Sequence, residues 1–176
     1  MRSIIRAAVA AAASLCAAIA LIAATSSTAS AEPSLATCVG TASVDYGPGV
    51  RLTPQLVTVT ALQNYPTCVT GEDGVTAATA SSSFVDTVGC DTLLGSSTGV
   101  RTYHWNDGTT SRFEYTRSAT RVLSQTVATF TGTITAGRFA GSSVIETNIG
   151  PTLGVLDCLS AVGVTHIDFV AALQIL

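Results

Sequence analysis

The stretch GVRTYHWNDGTTSRFEYTR, residues 99–117, decides how the rest of the chain is read. Two runs rich in β-branched and aromatic residues flank Asn106, Asp107 and Gly108, a strong short-range signal for a tight antiparallel hairpin. The loop length follows from the side-chain pattern. A two-residue Asp107-Gly108 loop would set Trp105 against Thr110 and Tyr103 against Arg112, splitting the aromatic residues between opposite faces. A three-residue loop, with Gly108 left-handed as the bulge residue, sets Trp105 against Thr109 and Tyr103 against Ser111 and gathers the odd positions on one side. Tyr103, Trp105, Phe113 and Tyr115 then share a face with Arg101 and Arg117, while Thr102, His104, Thr110, Arg112, Glu114 and Thr116 line the other. The three-residue loop is the expectation, because a one-residue slip would exchange core and solvent faces.

Outward from the hairpin, the first question is the compartment. Met1-Arg2-Ser3-Ile4-Ile5-Arg6 opens an Ala/Leu/Ile-rich run that reaches about Ala24, followed by a Ser/Thr segment and Ala29-Ser30-Ala31. A basic start, an apolar middle and an A-x-A end make a secretory signal peptide over residues 1–31. Cys16 lies in the middle of the apolar run after Leu15, where a lipoprotein signal has a small residue, so no lipid anchor is expected. Residues 32–176 then form one all-β domain with its own core. They hold six arginines, no lysine and eleven carboxylates, a net charge near −5. That balance excludes a basic nucleic-acid footprint and a polybasic membrane patch. The apolar C-terminal stretch, residues 164–176, is short and interrupted by His166, Asp168 and Gln174. It reads as a closing strand in which Ile167, Phe169, Ala171, Leu173 and Ile175 alternate with the rest.

Four cysteines follow the leader: Cys38, Cys68, Cys90 and Cys158. An even number in an exported chain points to two disulfides, with three connectivities possible and spacing unable to choose among them. Cys38 with Cys68 and Cys90 with Cys158 is the pairing taken as the expectation, in a structural role.

Elsewhere the chain alternates short strand-like runs with turns. A first run from Cys38 to Val44 ends at Tyr46-Gly47-Pro48-Gly49. A second spans residues 51–61, with Pro54 marking an edge or an early bulge, and Gly71-Glu72-Asp73-Gly74 is the next turn. The run over residues 75–88 is weak as a strand at Ser81-Ser82-Ser83. Beyond the hairpin, residues 115–122, 126–135, 143–148, 153–159 and 164–176 complete about eight to ten strands, and no segment has a helical period. This pattern predicts an antiparallel sandwich, with a small barrel as the alternative. Cys38-Val39-Gly40-Thr41, Tyr46-Gly47-Pro48-Gly49, Pro54, Trp105-Asn106-Asp107-Gly108-Thr109, Gly132 and Gly137-Arg138-Phe139-Ala140-Gly141 resemble uncharacterised small secreted proteins of actinobacteria. The resemblance implies export and a β-rich fold, and carries no catalytic or ligand residues.

Candidate chemistry is sparse. Gly95-Ser96-Ser97-Thr98-Gly99 spells the G-x-S-x-G elbow, but that mechanism needs a strand-to-helix turn, and here a strand follows from Val100. His104 and His166 are the only histidines, and neither has metal-ligand spacing, so no metal or cofactor is expected. Asp91 and Asp157 neighbour cysteines and would approach if those were bonded, but flanking acids are ordinarily solvated. The strongest candidate binding group is the aromatic face of the hairpin: Trp105, Tyr103, Phe113 and Tyr115 with Arg101. Facing outward, it would stack on a cell-wall or extracellular glycan, with arginine recognising an anion. Facing inward, it supplies a core for a domain with few aromatics, and inward is the expectation. The function drawn from the sequence is a secreted non-enzymatic module, structural or ligand-binding. The alternatives are a secreted hydrolase and a protease inhibitor.

Overall fold

Eight strands, most of them alternating buried and exposed side chains with a period of two, make up the computed structural model, which describes residues 35–176. The expected leader, residues 1–31, lies outside the described residues. The strands are β1 (Ala36–Val50), β2 (Gln55–Thr70), β3 (Ala78–Val88), β4 (Gly95–Trp105), β5 (Thr110–Val122), β6 (Gln125–Gly137), β7 (Ser143–Pro151) and β8 (Val164–Ile175). Neighbours in sequence pair antiparallel throughout, and β1 also pairs with β8 from Ala36↔Ile175 to Val50↔Val164. The sheet therefore closes on itself as a barrel. The antiparallel all-β class is as expected, but the architecture is the barrel and not the preferred sandwich. The last strand makes the difference: Ile167, Ala171, Leu173 and Ile175 are buried beside Ala36, Cys38 and Ala42 of β1, so one continuous wall encloses the core.

Two local expectations also change. β1 does not stop at Tyr46 but continues through Gly47-Pro48-Gly49, paired with β2 as far as Gly47↔Thr58. The expected strand over residues 153–159 is instead a single helical turn, α1 (Val155–Leu159). Its start is set by Asp157, whose Oδ2 accepts the Gly154 N–H at 2.8 Å and draws the chain into a turn.

The hairpin has the expected register. Tyr103 pairs with Ser111 and His104 with Thr110, the Trp105 N–H donates to the Thr109 carbonyl at 2.9 Å, and Gly108 sits at φ 85°. A left-handed residue closes the three-residue loop, and glycine adopts that conformation at little cost. The odd face consequently points into the barrel. Trp105 is 3% exposed and donates its indole N–H to Ser111 Oγ at 2.8 Å, while Tyr103 stacks on Phe113 with ring centroids 5.9 Å apart. Small inner side chains on the other strands, among them Ala78, Ala80, Ala128 and Ala171, leave room for these rings. The outer wall carries the opposite parity, with Thr116, Thr131, Thr133, Asp45, His166 and Asp168. The lumen is mainly apolar, and the outer wall mixes these polar residues with exposed aliphatic ones such as Val39, Val69 and Val170.

Each end of the barrel is tied. At the upper end Asn106 caps the connection before β3, accepting the Thr76 and Ala77 N–H groups and donating to the Gly74 carbonyl. Arg138 bridges Asp107 and Glu72 there at 2.6 and 2.9 Å. Cys38–Cys68 joins directly opposed residues of β1 and β2, and at the lower end Cys90–Cys158 joins the β3–β4 connection to α1. Both bonds match the expected pairing and fit an oxidising compartment. On the loop-entropy model they contribute about 3.5 and 4.5 kcal/mol respectively. Urea denaturation should therefore show a larger loss for Cys90→Ala with Cys158→Ala than for Cys38→Ala with Cys68→Ala. Equal losses, or the reverse order, would refute an entropic role for the longer closed loop.

Candidate functional site

One seam of the barrel is incomplete. β3 and β4 pair through three rungs only, Ala78↔Trp105, Thr79↔His104 and Ala80↔Tyr103, after which the strands separate down to Val88 and Gly95. The consequence shows in burial. Inner-facing residues elsewhere on the wall are mostly buried or half-buried, whereas along this flank Phe84 is 50% exposed, Asp86 and Ser97 are exposed, and Ser82 and Gly99 are half-exposed. The weak strand run at Ser81-Ser82-Ser83 is where the pairing ends. Serines with no apolar side chain to bury give the strand little reason to hold a neighbour.

At the fork the ladder is replaced by side chains. With its amide turned to satisfy both neighbours, Gln63 donates to the Ala80 carbonyl at 3.2 Å and accepts from Arg101 Nη2 at 3.3 Å. Arg101 pairs in turn with Glu146 of β7 across the lumen, with side chains 3% and 0% exposed. Tyr103 donates its phenol O–H to the same carboxylate, and Asn148 Nδ2 donates to its other oxygen at 3.1 Å. Burial, the largest single influence, opposes the Arg101 charge, but Glu146 together with the Tyr103 and Tyr115 phenols raises the guanidinium above its ordinary value. The Tyr103 phenol is pushed well above its ordinary range by burial first and by the Glu146 charge second. Arg101 Nε and Asn148 Oδ1 have no partner among the described residues, so the pair is incompletely satisfied. It is sealed from solvent, and its chemistry is that of a polar core.

Below the fork the flank has a floor made by β5. Tyr115 pairs with Gly99, and its phenol lies across that glycine: a Cβ there would come 2.5 Å from Tyr115 Oη. The other neighbour is Gly132, where a Cβ would meet the Glu114 carbonyl at 1.9 Å, so both positions flanking the ring exclude a side chain. Arg101 sits over the Tyr115 and Phe130 rings, 5.3 and 4.7 Å from their centroids. Next along β5 is Arg117, half-buried, whose Nη2 donates to the Leu93 carbonyl at 2.8 Å. No carboxylate lies within ion-pair distance of it among the described residues, and burial draws its guanidinium below the ordinary value. It keeps its charge at any physiological pH.

The other residues singled out from the sequence are dispersed. Trp105, Tyr103, Phe113 and Arg101 are buried and Tyr115 half-buried, so the rings offer no outer platform to a sugar. Ser97 lies within a strand on the inner face of β4, His104 faces outward on the same strand, and His166 is on β8, on the opposite side of the barrel. No Ser-His-Asp set assembles from them. Asp157 is engaged in capping α1, and the disulfide-braced connection around Cys158 coils into a helical turn instead of the extended strand a binding cleft takes. Phe84, Gln63 and Glu146 were not identified from the sequence. The inward parity of Glu146, between buried Val144 and Asn148, was the available signal.

Two predictions follow from these charges. Glu146→Gln strands Arg101 in the core and should cost about 3–5 kcal/mol in urea denaturation, whereas Arg101→Met with Glu146→Leu should recover most of it. A loss under about 1 kcal/mol for the single variant would show the pair to be dispensable. On the outer wall, His166 Nδ1 bonds Asp45 Oδ1 at 2.7 Å and its Nε2 bonds Asp168 Oδ1 at 3.0 Å. The two carboxylates, Asp45 first, raise the imidazole above its ordinary 6.5. Its contribution to stability is present below pH 6.5 and lost as pH rises through the raised folded value. NMR titration should find His166 above 6.5, falling back in Asp45→Asn with Asp168→Asn; an unchanged value in that variant would refute the assignment.

Comparison with protein-family models, with curated proteins and with solved structures returned no match for this chain.

Proposed function

We propose that this protein is a secreted, non-enzymatic binding module that takes up an anionic ligand at the open flank between β3 and β4. The observation that carries the reading is Arg117: a half-buried guanidinium on the floor of an opening in the wall, with a backbone carbonyl and no carboxylate for company among the described residues. Burying a cation without a counter-ion costs stability, and an anion supplied from outside offsets that cost through charge-assisted hydrogen bonds. Half-buried Tyr115 and half-exposed Phe84 add apolar surface on the inner side of the same opening. Export is supported by the leader-like residues 1–31 and by two disulfides in a chain of this size.

The minimal probes are acetate and phenylacetate, followed by NMR on the disulfide-bonded protein. Both should shift the Arg117 Nε–H and Tyr115 ring resonances in a saturable way, phenylacetate at lower concentration. Arg117→Gln should weaken binding roughly tenfold or more, since a hydrogen bond to a charged group contributes about 1.5–3 kcal/mol. Arg112→Gln, on the outer face and already paired with Glu114, should leave it unchanged. Shifts spread evenly over all arginines, or insensitive to Arg117→Gln, would refute the reading.

A further inference from the structure

We infer that the occupant of the open flank is an extended peptide, added as a strand between β3 and β4 with an acidic group on Arg117. This rests on the flank being the binding site and identifies what fills it. The argument is one of backbone parity. The Trp105 N–H and carbonyl both bond across the hairpin, to Thr109 and Gly108, whereas the Asn106 N–H bonds Ala77 on the other side. Odd residues of β4 therefore turn their backbone groups to β5 and even residues turn theirs to β3. The Thr79↔His104 rung fixes the matching parity on β3, where odd residues face β4.

Below the last rung, Ser96, Thr98 and Val100 on one edge and Ser83, Val85 and Thr87 on the other point N–H and C=O groups into the opening. Among these, the Thr87 N–H has a partner in the Asp86 carboxylate at 2.7 Å; the ladders supply none for the rest. These six side chains are small or β-branched and turn outward, away from the gap. Neither edge carries the lysine or proline that ordinarily blocks strand addition, and Asp86 is the one carboxylate along them.

An extended segment of about seven residues spans the open length of β3, from residue 82 to Val88. Such a segment satisfies both rows of backbone groups at once, antiparallel to one edge and parallel to the other. Its alternate side chains face the lumen, above Tyr115 and Arg117 on the inner face of β5. A free small carboxylate would meet Arg117 and leave both edges to water. Among the described residues, a second copy of this barrel has no isolated strand to insert. The unpaired positive charge selects an aspartate, a glutamate or a terminal carboxylate at the inward position, and Asp86 on the opposite edge disfavours a run of acids.

The test is selection of a displayed random heptapeptide library on the mature, disulfide-bonded protein, with amide exchange of the protein then measured with and without the peptide recovered. Recovered sequences should alternate small or β-branched residues with one acidic position. Exchange should slow at least tenfold at Ser83, Val85, Ser96, Thr98 and Val100, and Arg117→Gln should weaken binding at least tenfold. Val85→Pro removes a seam-facing N–H without touching the β2 ladder and should weaken binding while the thermal transition is kept; should it fail to fold, Arg117→Gln and the exchange map decide alone. No enrichment, or protection away from these edges, would overturn the peptide. Saturable shifts with acetate and phenylacetate alongside that result would leave the anion-binding reading standing and remove this one.

Discussion

Closing eight strands into a barrel fixes the volume inside, and that fixed volume governs which side chains each strand brings to the lumen. The hairpin delivers Tyr103, Trp105 and Phe113, and β2 adds Tyr65, all buried to 3% exposure or less. The space they need comes from alanines at the inner positions of β1, β3, β6 and β8. Large and small residues thus alternate around the wall: Ala78 lies between Tyr65 and Trp105, and Ala80 beside Tyr103. Enlarging Ala78 or Ala171 would press against a filled interior, and the cost of such overpacking is ordinarily about 1–3 kcal/mol.

Inside this apolar filling the barrel carries one ion pair, among the described residues, at the level where its wall divides. Arg101 is the first inner residue of β4 below the last rung, and Glu146 reaches it from the other side of the lumen. Gln63 joins Arg101 to the Ala80 carbonyl. The polar network and the fork in the wall therefore coincide: side-chain hydrogen bonds take over the joint between two strands at the level where backbone ladders cease. A buried pair of this kind ordinarily adds little net stability compared with an apolar filling of the same volume.

Much of this was legible in the sequence, and the boundary has a physical cause. Side-chain parity in the hairpin follows from a period of two and a glycine at one position, both local, so the pattern of residues alone gathers Trp105, Tyr103 and Phe113 on one face. The cysteine pairing was one of three, and spacing did not select it. Closure was not legible, because alternating residues in β1 and β8 look the same whether a sheet meets itself or packs on another. Ser81-Ser82-Ser83 carried a partial signal as a weak stretch, but weakness does not say which neighbour is lost. For Arg117, the sequence placed it at the end of the aromatic face; that it lacks a carboxylate depends on every strand around it.

The Cys90–Cys158 bond has a mechanical meaning for the divided wall. Above, the opening ends at the Ala80↔Tyr103 rung; below, the connection that joins its two edges is held to α1 by the disulfide and to Arg51 by the Cys90 N–H, 2.9 Å from the Arg51 carbonyl. The slit is thus tied to the rest of the barrel at both of its ends. A ligand of the kind proposed would meet edges already tied above and below, and so would have less to order on binding.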